Sequence, residues 1–270
     1  MKTRSISANH LTAKELPLPI ELVTSACCLP ELDRAQLYAA AARAGYSGVE
    51  LFCGWGPSRA LPGEDTPATL TGRGVRVTAI HLPADPGQAR QAIGLAATAG
   101  VPQVIAHAHA PAADAGTWLR PLVQEARAKG VDLVVTNHKG QGIESPDDMA
   151  LALERCGSDA PGVLIEAGHY WLAGHDARAA FLRFRECVRL VHIKDLDPQG
   201  NSVPYGTGVS PLAEFLSELA QAGYAGRVVA ELELKGATSA ETEGHLAAGL
   251  PKIAAWLGLV GVSSHERNRR

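Results

Sequence analysis

The chain alternates short runs of β-branched residues with longer Ala- and Leu-rich amphipathic runs, and it does so eight times. That rhythm marks βα units feeding a parallel sheet. The predicted strands are 20–25, 48–52, 76–80, 103–106, 132–136, 162–165, 190–193 and 228–231. Predicted helices lie between them over 33–44, 87–99, 113–129, 145–155, 177–186, 210–222 and 239–256, with a weak, Pro- and Gly-flanked piece over 65–71. Eight such units favour a closed (β/α)₈ TIM barrel, an α/β fold that needs about 250 residues and so takes nearly all of a 270-residue chain. An open doubly wound sheet would usually carry a glycine fingerprint after its first strand, and here the first strand runs into Ser25-Ala-Cys-Cys.

Local signals agree. Gly45, Gly100 and Gly130 follow predicted helices as stops. Ser145-Pro and Ser210-Pro read as a serine N-cap followed by proline in the first turn. No Gly/Ser linker divides the chain, so residues 20–258 are expected to form one barrel, with 1–19 an N-terminal extension and 259–270 a flexible tail. The longer connections 53–70 and 196–209 are candidate lids over the strand ends. A net charge of −3 does not call for a basic, nucleic-acid-binding face, and no apolar run reaches membrane-span length. Five cysteines in no disulfide or zinc pattern, with no apolar leader core in 1–19, point to the cytoplasm.

Barrel enzymes carry their chemistry at the C-terminal ends of strands. Reading those positions gives Glu50 on the second strand, His81 after the third, and His107 and His109 after the fourth. His138 follows the fifth, Glu166 and His169 the sixth; His192, Lys194 and Asp195 belong to the seventh, and Glu231 and Glu233 to the eighth. Six of the ten histidines thus fall at one end of the expected barrel. Polar groups gathered there must be paired, solvated or bound to metal. Glu166, His192 and Glu231 suit a divalent ion such as Mn²⁺, Zn²⁺, Co²⁺ or Mg²⁺. A Glu231–Lys194 ion pair is the bland alternative. Trp55, Tyr170 and Trp171 are candidates to stack on a sugar or to pack in the rim, and Cys27 and Cys28 are expected to be packing residues.

Several of these stretches, in this order, resemble the xylose isomerase-like barrel superfamily, the sugar isomerase/epimerase and inosose dehydratase group. They are Gly45-Tyr-Ser-Gly-Val-Glu-Leu, Asn137-His-Lys-Gly-Gln-Gly, Glu166-Ala-Gly-His, Val191-His-Ile-Lys-Asp, Pro204-Tyr-Gly-Thr-Gly and Val228-Val-Ala-Glu. The resemblance implies a divalent metal held after strands five to eight, at positions 136, 166, 192 and 231. Glu166, His192 and Glu231 carry over. Thr136 stands where the epimerases have Glu, and His138 matches a second histidine of the dehydratase-like relatives. The two-glutamate epimerase scheme therefore lacks one base, and a metal-free site becomes an alternative.

What the resemblance then implies is metal-assisted isomerisation, epimerisation or dehydration of a small keto-sugar or cyclitol through an enediolate, with weight on one-base chemistry. Glu231 or His138 takes the proton, His138 joins the candidate metal ligands, and His169 and Lys194 hold hydroxyls or developing charge. Glu50, His81, His107, Trp55 and Trp171 line the substrate site. The alternatives are an apurinic-site nuclease of the same superfamily and a non-catalytic sugar-binding barrel with a degenerate metal site. The expected partner is a small molecule, neither nucleic acid nor membrane, and pairing into a homodimer stays open.

Overall fold

A computed structural model describes residues 20–70 and 74–259; the expected extension 1–19 and, beyond Leu259, the tail lie outside them. Eight parallel strands close into a barrel: β1 (Glu21–Ser25), β2 (Gly48–Phe52), β3 (Arg76–His81), β4 (Gln103–Ala106), β5 (Asp132–Thr136), β6 (Gly162–Glu166), β7 (Val188–Ile193) and β10 (Arg227–Ala230). The last strand pairs with both β7 and β1, which seals the ring. Between β7 and β10 a small antiparallel hairpin forms from β8 (Asp195–Leu196) and β9 (Ser202–Val203).

The outer helices are α1 (Arg34–Arg43), α2 (Pro86–Ala99), α3 (Ala115–Trp118), α4 (Arg120–Ala128), α5 (Pro146–Cys156), α6 (Ala167–Leu172), α7 (Ala177–Phe184), α8 (Leu212–Gln221) and α9 (Ser239–Trp256). α1, α2, α5, α7 and α9 start where a side chain satisfies first-turn N–H groups. Asp33 accepts from Gln36 N at 2.9 Å, and Ser145 and Thr238 form reciprocal capping boxes with Asp148 and Glu241. α2 stops at Gly100, whose φ of 68° suits glycine.

Three expectations are corrected. The single helix expected over 113–129 is split into α3 and α4, because Pro121 supplies no N–H to continue the ladder. Residues 65–70 form turns rather than a helix. The Asp65 carboxylate there accepts from Leu61 N at 2.6 Å and from both terminal nitrogens of Arg34 at 2.6 and 2.9 Å, pinning the segment to α1. Ser210 does not cap α8; its hydroxyl accepts instead from Leu196 N at 3.1 Å, and Pro211 takes the cap position. The connection 196–209, a candidate lid, contains the β8–β9 hairpin.

Strand side chains alternate inward and outward with period two, so each strand contributes a vertical file to the interior. At one end lie Gln103, Asp132 and Arg227, joined through Gln103. Above them Val23, Ala79, Ile105, Val134, Leu164, Leu190 and Val229 form a fully buried apolar waist. Two residues further along the same files come Ser25, His81, His107, Thr136, Glu166, His192 and Glu231, with Glu50 from β2. The same alternation that builds the waist therefore stacks polar side chains at the C-terminal mouth. A second packing layer joins the outer strand faces to the helices.

The mouth also depends on one close approach. Gly142 N donates to Ala108 O at 2.9 Å and Ala112 N to Gly142 O at 3.0 Å, tying the β5 loop to the β4 loop. A Cβ at Gly142 would overlap the Ala110 carbonyl and meet Pro111 Cα at 3.1 Å. Backbone cannot yield as a side chain does. Gly142→Ala is expected to cost about 3 kcal/mol and lower Tm by roughly 6–12 °C in a thermal scan. An unchanged Tm would show that the loops separate freely.

Candidate active site

All six strand-end histidines, His81, His107, His109, His138, His169 and His192, line one cavity of about 480 Å³ at the mouth. Glu166, Glu231, Glu233, Lys194 and Thr136 share its wall, and Leu164 of the waist forms its floor. The volume lies in the ordinary range for small-molecule sites.

At its centre is His192, on β7 and 2 % exposed. Its Nδ1 lies 3.0 Å from Glu166 Oε2 and 3.1 Å from Glu231 Oε1, and its Nε2 lies 3.0 Å from Glu50 Oε2. Glu50 also meets His81 Nε2 at 3.1 Å, and His81 Nδ1 is 2.9 Å from His107 Nε2. From the other side Lys194 Nζ stands 3.0 Å from Glu231 Oε2 and donates to Glu233 Oε2 at 2.8 Å. Carboxylates and bases thus alternate across the whole barrel.

Their titration follows from this order. Burial pushes the Glu231 carboxyl up, but Lys194 and His192 outweigh it and hold it well below the usual range. At Glu166 burial and the neighbouring Glu231 act together, and the carboxyl is raised. Burial lowers His192, yet Glu50 and Glu231 raise it well above an ordinary imidazole. Burial dominates at His107, which is lowered, and at His169, which falls to about 3 with Lys194 adding to the effect. Burial likewise pushes Glu50 up, and His192 and His81 bring it down to about 2.

Among the described residues two sets of three side chains offer ligand atoms within 4.8 Å of one another: Glu166, His192 and Glu231, and Glu50, His81 and His192. The first set fits a divalent ion. Two carboxylates and one imidazole, with ligand atoms within 4.8 Å of one another, are a donor set that such ions take. Glu166 Oε1 is buried without a hydrogen-bond partner among the described residues. The Thr136 hydroxyl donates to Asn137 O at 3.0 Å. Three protein ligands with open positions are the pattern of catalytic rather than structural sites.

Residues 38–257 match the model of the xylose isomerase-like TIM barrel family. The chain belongs to that family. Among curated relatives it is 23% identical over 135 residues to inosose dehydratase of Lacticaseibacillus casei, a match spanning 43% of this chain and 45% of that one, so less than half of either. Among solved structures it is similar to a xylose isomerase domain protein from Alicyclobacillus acidocaldarius, with TM-score 0.70 and 20% identity over 88% of this chain and 99% of the other. It is likewise similar to an L-ribulose 3-epimerase, with TM-score 0.70 and 17% identity over 89% and 95%. At such identities these two share the fold.

Within this xylose isomerase-like barrel the sequence-derived candidates sort cleanly. Glu166, His192, Glu231 and Lys194 converge, with His81, His107 and His169 beside them. Trp55 lines the cavity edge-on to Phe52, with centroids 5.1 Å apart. Glu50 does not line the wall; it is fully buried behind the cavity, with His192 and His81 on its Oε2. His138 is not among the converging ligand atoms: its Nδ1 faces Lys139 O at 2.9 Å and its ring lies on His169, centroids 3.6 Å apart. Trp171 is turned away from the cavity to pack edge-on against Phe215 of α8, because α6 begins directly after Glu166 and rotates it outward. Tyr170 is fully buried and also outside the cavity.

Sequence reading missed Phe52, Leu82, Pro83, Ala84 and Gln141 in the lining. Phe52 was within reach, being two residues beyond Glu50 on the same file. Cys27, expected to pack, also faces the cavity, its Sγ 3.6 Å from Glu231 Oε1, whereas Cys28 is buried and accepts from Leu232 N at 3.1 Å. Tyr205, from the Pro204-Tyr-Gly-Thr-Gly stretch, reaches the carbonyls of Ile193 and Glu231 at 3.0 and 2.8 Å and so braces the ends of β7 and β10. Asp195 holds that loop by accepting from Gly206 N and Gly208 N.

Glu50 gives the sharpest test of this network. Its carboxyl is held below its unfolded value, so its contribution to stability is full above pH 4.5 and fades as pH falls toward 2. Glu50→Ala removes the partner of buried imidazoles and is expected to cost about 3–5 kcal/mol at neutral pH in urea denaturation. The gap between the two proteins should narrow on acidification below pH 4.5. A gap that stays constant with pH would mean Glu50 is not ionised in the folded chain.

Proposed function

We propose that this barrel isomerises or dehydrates a small keto-sugar or keto-cyclitol by removing the proton beside the carbonyl. The observation that carries the reading is the convergence of Glu166, His192 and Glu231 on one point inside a cavity of small-molecule size. A divalent ion bound there by Glu166, His192 and Glu231 would act as a Lewis acid on the carbonyl.

The chain's own residues do the rest. Glu231 is kept ionised by Lys194 and His192, and its carboxylate takes the α-proton. Cys27 and Lys194 fix which way that carboxylate points. Across the cavity His138 stands in for the missing carboxylate of β5 and exchanges a proton with a substrate hydroxyl, while His169, kept neutral by burial, binds a hydroxyl as donor or acceptor. If the proton returns to the neighbouring carbon, the product is an isomer. If the β-hydroxyl takes a proton and leaves as water, the product is an enone. Thr136 at the end of β5 provides no second carboxylate base, which favours these outcomes over two-base epimerisation.

The test is proton exchange. A panel of keto-hexoses, keto-pentoses and inososes is incubated with protein and divalent metal in D₂O. Wash-in at the α-carbon is followed by NMR and enone formation by ultraviolet absorbance. Glu231→Gln is expected to slow both by about 10²–10⁴-fold, while metal content stays measurable by elemental analysis. Full exchange in Glu231→Gln would remove Glu231 from the chemistry, and no exchange with any substrate would defeat the enzymatic reading.

A further inference from the structure

Substrate charge is the property the cavity specifies beyond its chemistry. Among the described residues that line it, Lys194 is the one side chain with a permanent positive charge, and no arginine is present. Carboxylate or phosphate recognition normally draws on free cationic donors, arginine above all. Lys194 is not free. Its Nζ is shared between Glu231 at 3.0 Å and Glu233 at 2.8 Å. Its aliphatic stem runs so closely past Gly168 that a Cβ there would collide with Lys194 Cγ and lie 2.8 Å from Cδ. The ammonium is thus held from both ends, with its side chain 6 % exposed.

The remaining charges point the same way. Glu50, Glu166, Glu231 and Glu233 supply four carboxylates in or behind the cavity, against Lys194 and whichever cation, proton or dication, sits at His192. Neither case leaves spare positive charge for an anionic ligand. The other walls are apolar, from Phe52, Trp55, Leu82 and Pro83, or polar and uncharged, from Thr136, Gln141, Cys27 and the imidazoles, which bind hydroxyls as donor or acceptor.

Glu233 differs from the other three acids. It lies two residues beyond Glu231, at the rim, with its side chain 49 % exposed. It is not among the converging ligand atoms. We infer that Glu233 is a specificity-determining residue: by holding Lys194 it restricts the cavity to uncharged polyols and rejects the same skeletons bearing a carboxylate or phosphate. This rests on the proposed sugar or cyclitol site and adds to it the charge of what enters.

Binding, not turnover, tests it. Affinities of metal-loaded protein are measured by isothermal titration calorimetry for matched pairs: D-fructose against D-fructose 6-phosphate, and myo-inositol against its monophosphate, with D-gluconate as the carboxylate probe. The neutral member of each pair is expected to bind at least about tenfold more tightly. Glu233→Gln frees one side of Lys194 and should move the ratio about tenfold toward the acidic member. Adding Lys194→Met to Glu233→Gln should abolish that gain, which a general loss of negative charge at the rim would not do. Equal or tighter binding of the acidic members by the native protein overturns the inference, as does a ratio that Glu233→Gln leaves unmoved or a gain that survives Lys194→Met. Absence of binding by every neutral polyol also overturns it. Neutral polyols that bind selectively but exchange no proton in D₂O would defeat the catalytic reading and leave the charge filter standing.

Discussion

Burying carboxylates is the constraint on which the rest of this structure depends. Four acids from three strands meet near the mouth, and three of them are nearly removed from water. Each would be prohibitively costly alone. They are tolerated because His192 presents one ring nitrogen to Glu50 and the other to Glu166 and Glu231, while Lys194 closes the far side. Removing any member leaves its neighbours uncompensated. The polar layer is consequently a single electrostatic unit, even though its parts come from strands far apart in sequence.

That unit also explains an asymmetry. Glu166 and Glu231 flank the same imidazole nitrogen, yet one carboxyl is raised and the other lowered, because Lys194 stands directly against Glu231 and not Glu166. Two chemically identical groups thereby acquire different proton affinities. Glu231 suits a group that must be ionised when substrate arrives, and Glu166 suits one that holds a proton or a cation.

Much of this was legible in the chain. The eight βα units and the positions of Glu166, His192 and Glu231 follow from period-two alternation and from where apolar runs stop, both local signals. What the sequence concealed was direction. Trp171 reads as a rim aromatic until α6 is seen to begin immediately after β6, with no loop to bring the indole inward. Glu50 reads as a wall residue until the register shift between Val49 and Glu50 against β3 is known, and with it the two imidazoles that cover the carboxylate. His138 reads as a ligand through the resemblance to the dehydratase-like relatives, but the turn that brings Gly142 against the β4 loop sets its ring on His169 instead. Such facts depend on long-range packing, which no window of sequence contains.

The apolar waist has its own consequence. Val23, Ala79, Ile105, Val134, Leu164, Leu190 and Val229 fill the barrel's cross-section and carry no group able to pass a proton. Hydrogen ions and water therefore share a single doorway with the ligand, and a ligand seated there becomes the stopper of its own reaction vessel. The opposite end of the barrel, with Gln103, Asp132 and Arg227, is insulated from whatever happens above and is free to serve stability alone.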